Sequence, residues 1–212
     1  MNATPRVIYG WAKAGTFFKA FTHIDKASGI PRPALWLTFG LSIFWTLPFP
    51  SWEQLISVVS AALVLSYAIA PVTAAGLRRN APDLPRPFRV RAFGIIGPIS
   101  FMISALIVYW SGWNTLSWLL GLQIVMFVVY VMCKGKVPEH TVSLAQQVKS
   151  SLWLIVFYAL IILFSWLGSF GGLNVIGHPW DTVLVAAMSL GIYYWGARSC
   201  LPQANFSGDE EE

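Results

Sequence analysis

LRRNAPDLPRPFRVR, residues 77–91, holds five of the chain's fourteen Lys and Arg residues, with three prolines and one acid, Asp83. On either side the charge stops: no Asp, Glu, Lys, Arg or His occurs from 54 to 77 or from 92 to 133. A basic arm for nucleic acid would lie among other exposed basic segments, whereas a membrane loop would lie between uncharged rods. The neighbours fit the loop. A hydrocarbon core about 30 Å thick is crossed by roughly 20 helical residues rising 1.5 Å each. The first run therefore holds one crossing, and the second, 42 residues long, holds two.

Composition agrees. The 212 residues are 56% hydrophobic and 11% charged, with 11 tryptophans. Soluble domains are about a quarter charged, and so apolar a chain lacks the polar groups to cover a water-facing surface. Barrel strands would alternate apolar and polar residues in segments of about ten, which these runs do not do. The reading is all-α: a polytopic transmembrane helix bundle with six spans and the lipid bilayer as its partner. The net charge of +5 sits in short loops, so no nucleic acid is implied.

The six expected helices are A at about 33–49, B at 54–77, C at 93–111, D at 115–133, E at 151–170 and F at 181–197. The polar SGWNT stretch, 111–115, suits a turn between C and D. Helix A is tightly bracketed by Pro33, Pro48 and Pro50, and if it did not cross, the parity of the layout would change. The resulting organisation has a cytoplasmic loop or end of a preceding helix at 1–32. Four helices at 33–133 carry the basic loop 78–91 with Arg78, Arg79, Arg86, Arg89 and Arg91. A cytoplasmic loop follows at 134–150, two more helices at 151–197, and an acidic tail at 198–212. Even crossings place 1–32, 78–91, 134–150 and 198–212 on one side, holding five, five, three and one of the fourteen cations. The other side holds none, so the positive-inside bias puts the first side, and both termini, in the cytoplasm of a cell (inner) membrane protein. Trp45, Trp52, Trp110, Trp113, Trp118 and Trp180 fall near the outer boundary; Trp11, Trp153 and Trp195 fall near the inner one, as aromatic belts do.

Reactive chemistry is sparse. No ionisable residue occupies the middle of a span, where one would mark function. Glu53 and Asp181 stand at outer helix starts, where a carboxylate suits the positive helix end. His23, His140 and His178 lie in separate loops, and Cys133 and Cys200 form no CxxC pattern and read as unpaired thiols. No GxSxG, HExxH or P-loop occurs, so no enzyme, metal site or cofactor is expected. Helix B is the most polar span. Ser57, Ser60, Val64, Tyr67 and Pro71 recur every three or four residues and share a face. That face is either the wall of a polar pathway, lined by Ser57, Ser60 and Tyr67, or a helix–helix contact made through hydroxyls and small residues.

Three motifs, in order and spacing, resemble amino acid permeases of the amino acid–polyamine–organocation superfamily. PRVIYGWAKAGTFFKAFTHIDKASGIPRPAL, residues 5–35, matches the family's loop after the eighth helix through Arg6, Tyr9, Ala12 and Gly15, then Gly29, Ile30 and Pro31. LISVVS, 55–60, resembles the start of the tenth helix, and APDLPRPFRV, 81–90, the segment after it. Phe18 and Arg91 stand where the family usually has proline. Helices C and D correspond by position to the eleventh and twelfth, and E and F make a thirteenth and fourteenth, as in longer permeases similar to aspartate–proton symporters. The family fold has two inverted five-helix repeats with substrate held at broken first and sixth helices. The resemblance therefore implies the C-terminal portion of an inverted-repeat transporter fold, missing an amino-terminal half or completed by a second copy. It implies secondary active, cation-coupled transport by alternating access, with an amino acid substrate and a coupling proton or sodium in the full-length protein. The chain alone would not be transport-competent. A stand-alone six-helix accessory or structural protein is the other reading.

Overall fold

The computed structural model describes residues 3–13, 17–25, 29–47, 51–82, 88–133 and 144–200; for 3, 127, 129–133, 144, 145 and 147 it describes the backbone alone. The described residues form seven α-helices and one short 3₁₀ turn, with no strand among them. The helices are α1 (Ala3–Lys13), α2 (Arg32–Thr46), α3 (Trp52–Asn80), α4 (Phe93–Trp110), α5 (Gly112–Cys133), α6 (Leu144–Leu167) and α7 (Trp180–Ser199); the 3₁₀ turn is Lys19–Thr22. Of these, α3, α4 and residues Val148–Leu167 of α6 are long and apolar enough to cross a membrane, by length and composition. Arg86, the tail 201–212, loop residues 134–143, Gly15, Pro48 and Pro50 lie outside the described residues.

The chain divides into two compact units, residues 1–56 with 122–142, and residues 57–121 with 143–212. In the first, α1 buries Pro5, Ile8 and Ala12, and packs with the 3₁₀ turn and α2. Arg32 and Asp25 form an ion pair at 2.9 Å across the turn that leads into α2. Pro33 lies in the first turn of α2, where its missing N–H costs nothing. Thr38 and Ser42 donate to the Ala34 and Thr38 carbonyls, satisfying their hydroxyls within the helix. The 15 residues of α2 rise about 22 Å, short of a full hydrocarbon core.

The second unit is a helix bundle in which α7 packs against both α4 and α6. Its centre is aromatic: the Phe101 ring lies 5.1 Å from Phe157, 6.0 Å from Tyr193 and 6.4 Å from Trp153. All four side chains are buried. Trp153 therefore fills this core rather than a lipid-facing belt, because Gly196 on α7 leaves room for its indole. From α3, Val58, Ala61, Leu65, Ala68, Val72 and Gly76 are buried, a stripe at helical spacing. Pro71 lies inside α3 and Pro98 inside α4, and both helices continue past them.

Three boundaries differ from the sequence reading, the first at α6, which begins at Leu144 instead of 151, so residues 144–150 extend the helix into what was read as loop. Helix α3 runs on to Asn80, so Arg78 and Arg79 belong to its last turn instead of the following loop; cations there balance the negative helix end, and Pro82 is the first residue that stops it. Between α4 and α5 the polar break shrinks to a single corner. Ser111 closes α4, and Gly112, at φ +83°, turns the chain directly into α5. A positive φ of that size suits glycine.

A β-carbon on Gly196 would lie 2.8 Å from both Trp153 Cδ2 and Val72 Cγ1. Gly196→Ala is expected to destabilise the purified protein by about 1–3 kcal/mol, the usual cost of overpacking. Thermal unfolding in detergent measures it; an unchanged midpoint would mean α3, α6 and α7 do not meet there.

Candidate functional site

The predicted pathway residues lie along α3, and the structure separates them. Ser57 is half-buried, its hydroxyl 3.0 Å from that of Thr115 on α5. Ser60 and Tyr67 are exposed, Tyr67 to 66%. They stand beside the buried stripe, on a face that α4, α6 and α7 leave open. Ser57 thus fits the helix–helix reading, while Ser60 and Tyr67 remain available to neighbours. Pro71 and Val64 are intermediate in exposure.

The described basic residues of 78–91 are gathered where the end of α3, the start of α4 and the end of α7 meet. Asn80 Nδ2 donates to the Cys200 carbonyl at 3.2 Å, joining the ends of α3 and α7. Cys200 Sγ occupies the space a side chain at Gly76 would need. The Arg78 guanidinium lies 4.1 Å from the centre of the Phe93 ring and reaches the Val90 carbonyl at 3.5 Å, joining α3 to α4. Arg79, Arg89 and Arg91 are exposed. Burial pushes the Cys200 thiol pKa up, and the nearby Arg79 charge partly opposes that rise.

At the other end of the bundle the structure holds a group whose role sequence position disguised. Asp181 is fully buried, although a carboxylate near a helix start reads as an exposed cap. Five donors meet it. Tyr109 Oη on α4 donates to Oδ2 at 2.8 Å, and the Ser169 amide and hydroxyl donate to the same oxygen. The Thr182 amide and hydroxyl donate to Oδ1, at 2.6 and 3.2 Å. His178 Nδ1 lies 3.7 Å from Oδ1, an ion pair only when the imidazole is protonated. A buried charge is costly unless hydrogen-bonded, and here both oxygens are met. The cluster fixes α4, the α6–α7 loop and α7 to one another.

The loop itself completes the clamp. The amides of Leu173, Asn174, Val175 and Ile176 bond the carbonyls of Trp166, Gly168 and Leu167, so the end of α6 is capped by the chain that leaves it. Trp113 N bonds the Phe170 carbonyl at 2.9 Å, tying in the start of α5. Any side chain at Gly172 would collide with the backbone carbonyls of Ser165 and Trp166. Among the described residues no group of three or more His, Cys, Asp or Glu could hold a metal.

Two proteins of Bacillus subtilis (strain 168) are similar to this chain. It is 55% identical over 211 residues to an aspartate-proton symporter, an alignment covering 99% of this chain and 41% of the relative. It is 31% identical over 198 residues to the glutamate/serine transporter AimA, covering 92% of this chain and 36% of the relative. The chain thus spans about two fifths of the length of these curated relatives. No protein-family model and no solved structure matches it. With its long apolar helices, the similarity identifies a helical membrane protein whose relatives are named as amino acid transporters.

Tyr109→Phe removes one hydrogen bond to a buried carboxylate and is expected to cost about 1.5–3 kcal/mol of stability. Asp181→Ala strands several donors at once and should cost roughly 3 kcal/mol or more. Reversible unfolding in mixed detergent reads both. The double variant should lose less than the two losses combined, as for residues sharing one interaction; strict additivity would refute the clamp.

Proposed function

We propose that this chain is the carboxy-terminal part of a proton-coupled amino acid permease of the amino acid–polyamine–organocation superfamily. Acidic amino acids such as aspartate are the substrate class, and alternating access in the complete transporter is the mechanism. The observation that carries the reading is similarity along nearly the whole chain to an aspartate-proton symporter that is more than twice as long. The three sequence motifs at 5–35, 55–60 and 81–90 support the superfamily.

In this reading all six apolar helices, α2 to α7, cross the membrane and both termini are cytoplasmic. The helix directions in the second unit support it. Asn80, Phe93, Trp153 and Cys200 mark one end of the bundle, and Tyr109, Ser169 and Asp181 mark the other. Helices α3 and α7 therefore run opposite to α4 and α6, as successive crossings require.

The roles divide accordingly. The buried stripe of α3 holds the helix against the second unit, and the exposed Ser60 and Tyr67 face the rest of the transporter, with Ser57 at the outer edge of the pathway. Hydroxyls there would meet substrate or water without the cost of a charge in the membrane. Helices α4, α6 and α7 brace α3 and do not bind the substrate. The chain by itself does not transport.

Proteoliposomes containing only this chain should show no saturable uptake of labelled aspartate under an acid-outside gradient, whereas co-expression with the amino-terminal part of the symporter relative should restore it. Uptake by the chain alone, or none from the pair when both parts are present in the membrane, would overturn the proposal.

Cys200 in a Cys133→Ser background should react with a membrane-impermeant maleimide only from the cytoplasmic side. Because its thiol pKa is raised and the thiolate is the nucleophile, labelling should be slow at neutral pH and accelerate as pH rises. Labelling from outside would refute the six-span orientation.

A further inference from the structure

We propose that the inner ends of α3, α4 and α7 form one binding patch for the phosphate headgroup of an anionic phospholipid. The location of that patch in the cytoplasmic leaflet rests on the orientation proposed above; the patch itself rests on geometry.

The contacts among Asn80, Cys200, Arg78, Phe93 and Val90 bring the end of α7 to the adjoining ends of α3 and α4, across 120 residues of sequence. Each end brings exposed arginine: Arg79 from the last turn of α3, Arg89 and Arg91 from the entry to α4, and Arg198 from the last turn of α7. Arg79 is close enough to Cys200 to influence its thiol, which places the α3 charge beside the exit of α7. The C-termini of α3 and α7 offset only roughly half a unit charge each, and the N-terminus of α4 adds positive potential, so the patch stays strongly cationic. The described carboxylates do not neutralise it. Glu53 and Asp181 stand at the opposite ends of α3 and α7, and Asp25 is paired with Arg32.

The surroundings select a lipid over a soluble anion. Phe88, 80% exposed, lies next to Arg89, and Trp195, 41% exposed, lies one helical turn before Arg198 on the same face of α7. Leu77 is also partly exposed beside Arg78. Leu77 and Trp195 lie on the helix-body side of Arg79 and Arg198, so an arginine and an apolar side chain follow one another along α3 and along α7, matching a phosphate with its acyl chains attached. Basic pockets between helices on the cytoplasmic side are suited to anionic headgroups. Arginine adds forked donors that fit phosphate oxygens.

The test uses the purified chain in neutral detergent, with lipid binding read by native mass spectrometry. Phosphatidylglycerol should be retained in preference to phosphatidylcholine. Replacing Arg79, Arg91 and Arg198 with Gln should weaken phosphatidylglycerol binding on the order of a hundredfold, about fivefold per arginine. Lys13→Gln with Lys19→Gln, in the other unit, should leave it unchanged. Equal retention of the two lipids by the unmodified chain would overturn the proposal without reference to any variant. So would unchanged affinity in a triple variant that elutes and melts normally. Displacement of the lipid by excess inorganic phosphate alone would assign the patch to a soluble anion and also overturn it. Detergent has no sides, so these outcomes judge the patch, whereas Cys200 labelling judges the orientation.

Discussion

Apolar surroundings offer no hydrogen bonds, so each polar group on these helices must find its partner within the chain. That constraint accounts for most of the described polar contacts. Thr38, Ser42, Thr46, Ser66, Thr73, Ser111 and Ser189 each donate to a carbonyl three or four residues earlier. Such back-bonding lets a hydroxyl sit on an apolar helix without signalling a site. The carboxylate of Asp181 cannot be satisfied locally in this way, and it recruits Tyr109 from 72 residues earlier and Ser169 from the preceding loop. Among the described residues Ser165 is the exception, its hydroxyl buried without a hydrogen-bond partner.

The same constraint decides what the sequence could reveal. Charge-free runs of helical length are a local property, so the positions of α3 to α7 follow from counting. Helix ends are less legible, because they depend on which residue first fails to continue. Arg78 and Arg79 looked like loop residues by charge, yet nothing before Pro82 prevents the helix from including them. Trp153 looked like a belt residue by depth, and only the notch at Gly196, more than forty positions away, makes it a core residue. Asp181 is the clearest case. A carboxylate one residue into α7 satisfies the rule for a helix start, and no local pattern announces that α4 and the α6–α7 loop close over it. A tyrosine near the carboxy-terminal end of α4 was the available signal, and it has meaning only once the helices are paired.

The candidate pathway was legible as a face and not as a site. Periodicity places Ser57, Ser60 and Tyr67 together, but it cannot tell a face that packs from a face that stays open. The structure divides them, with Ser57 bonded to Thr115 and Ser60 and Tyr67 outward. The serine that packs lies at the amino-terminal end of the stripe, so the open portion begins about one turn further along α3.

The two ends of the second unit use charge in opposite ways, and the contrast explains how one bundle can be both rigid and available. At the Asp181 end a single carboxylate is enclosed by donors, so breaking the contact would expose a buried charge and its partners together; such a joint resists opening. At the opposite end the arginines are held near one another by neighbours that are mostly uncharged: an amide on a carbonyl, a thiol over a glycine, an aromatic ring under a guanidinium. The positive charges are therefore not consumed in building the joint. Helix α3 is held by the second of these devices alone, through Asn80, Gly76 and Arg78, and it keeps Ser60 and Tyr67 outward and Arg79 exposed in its last turn.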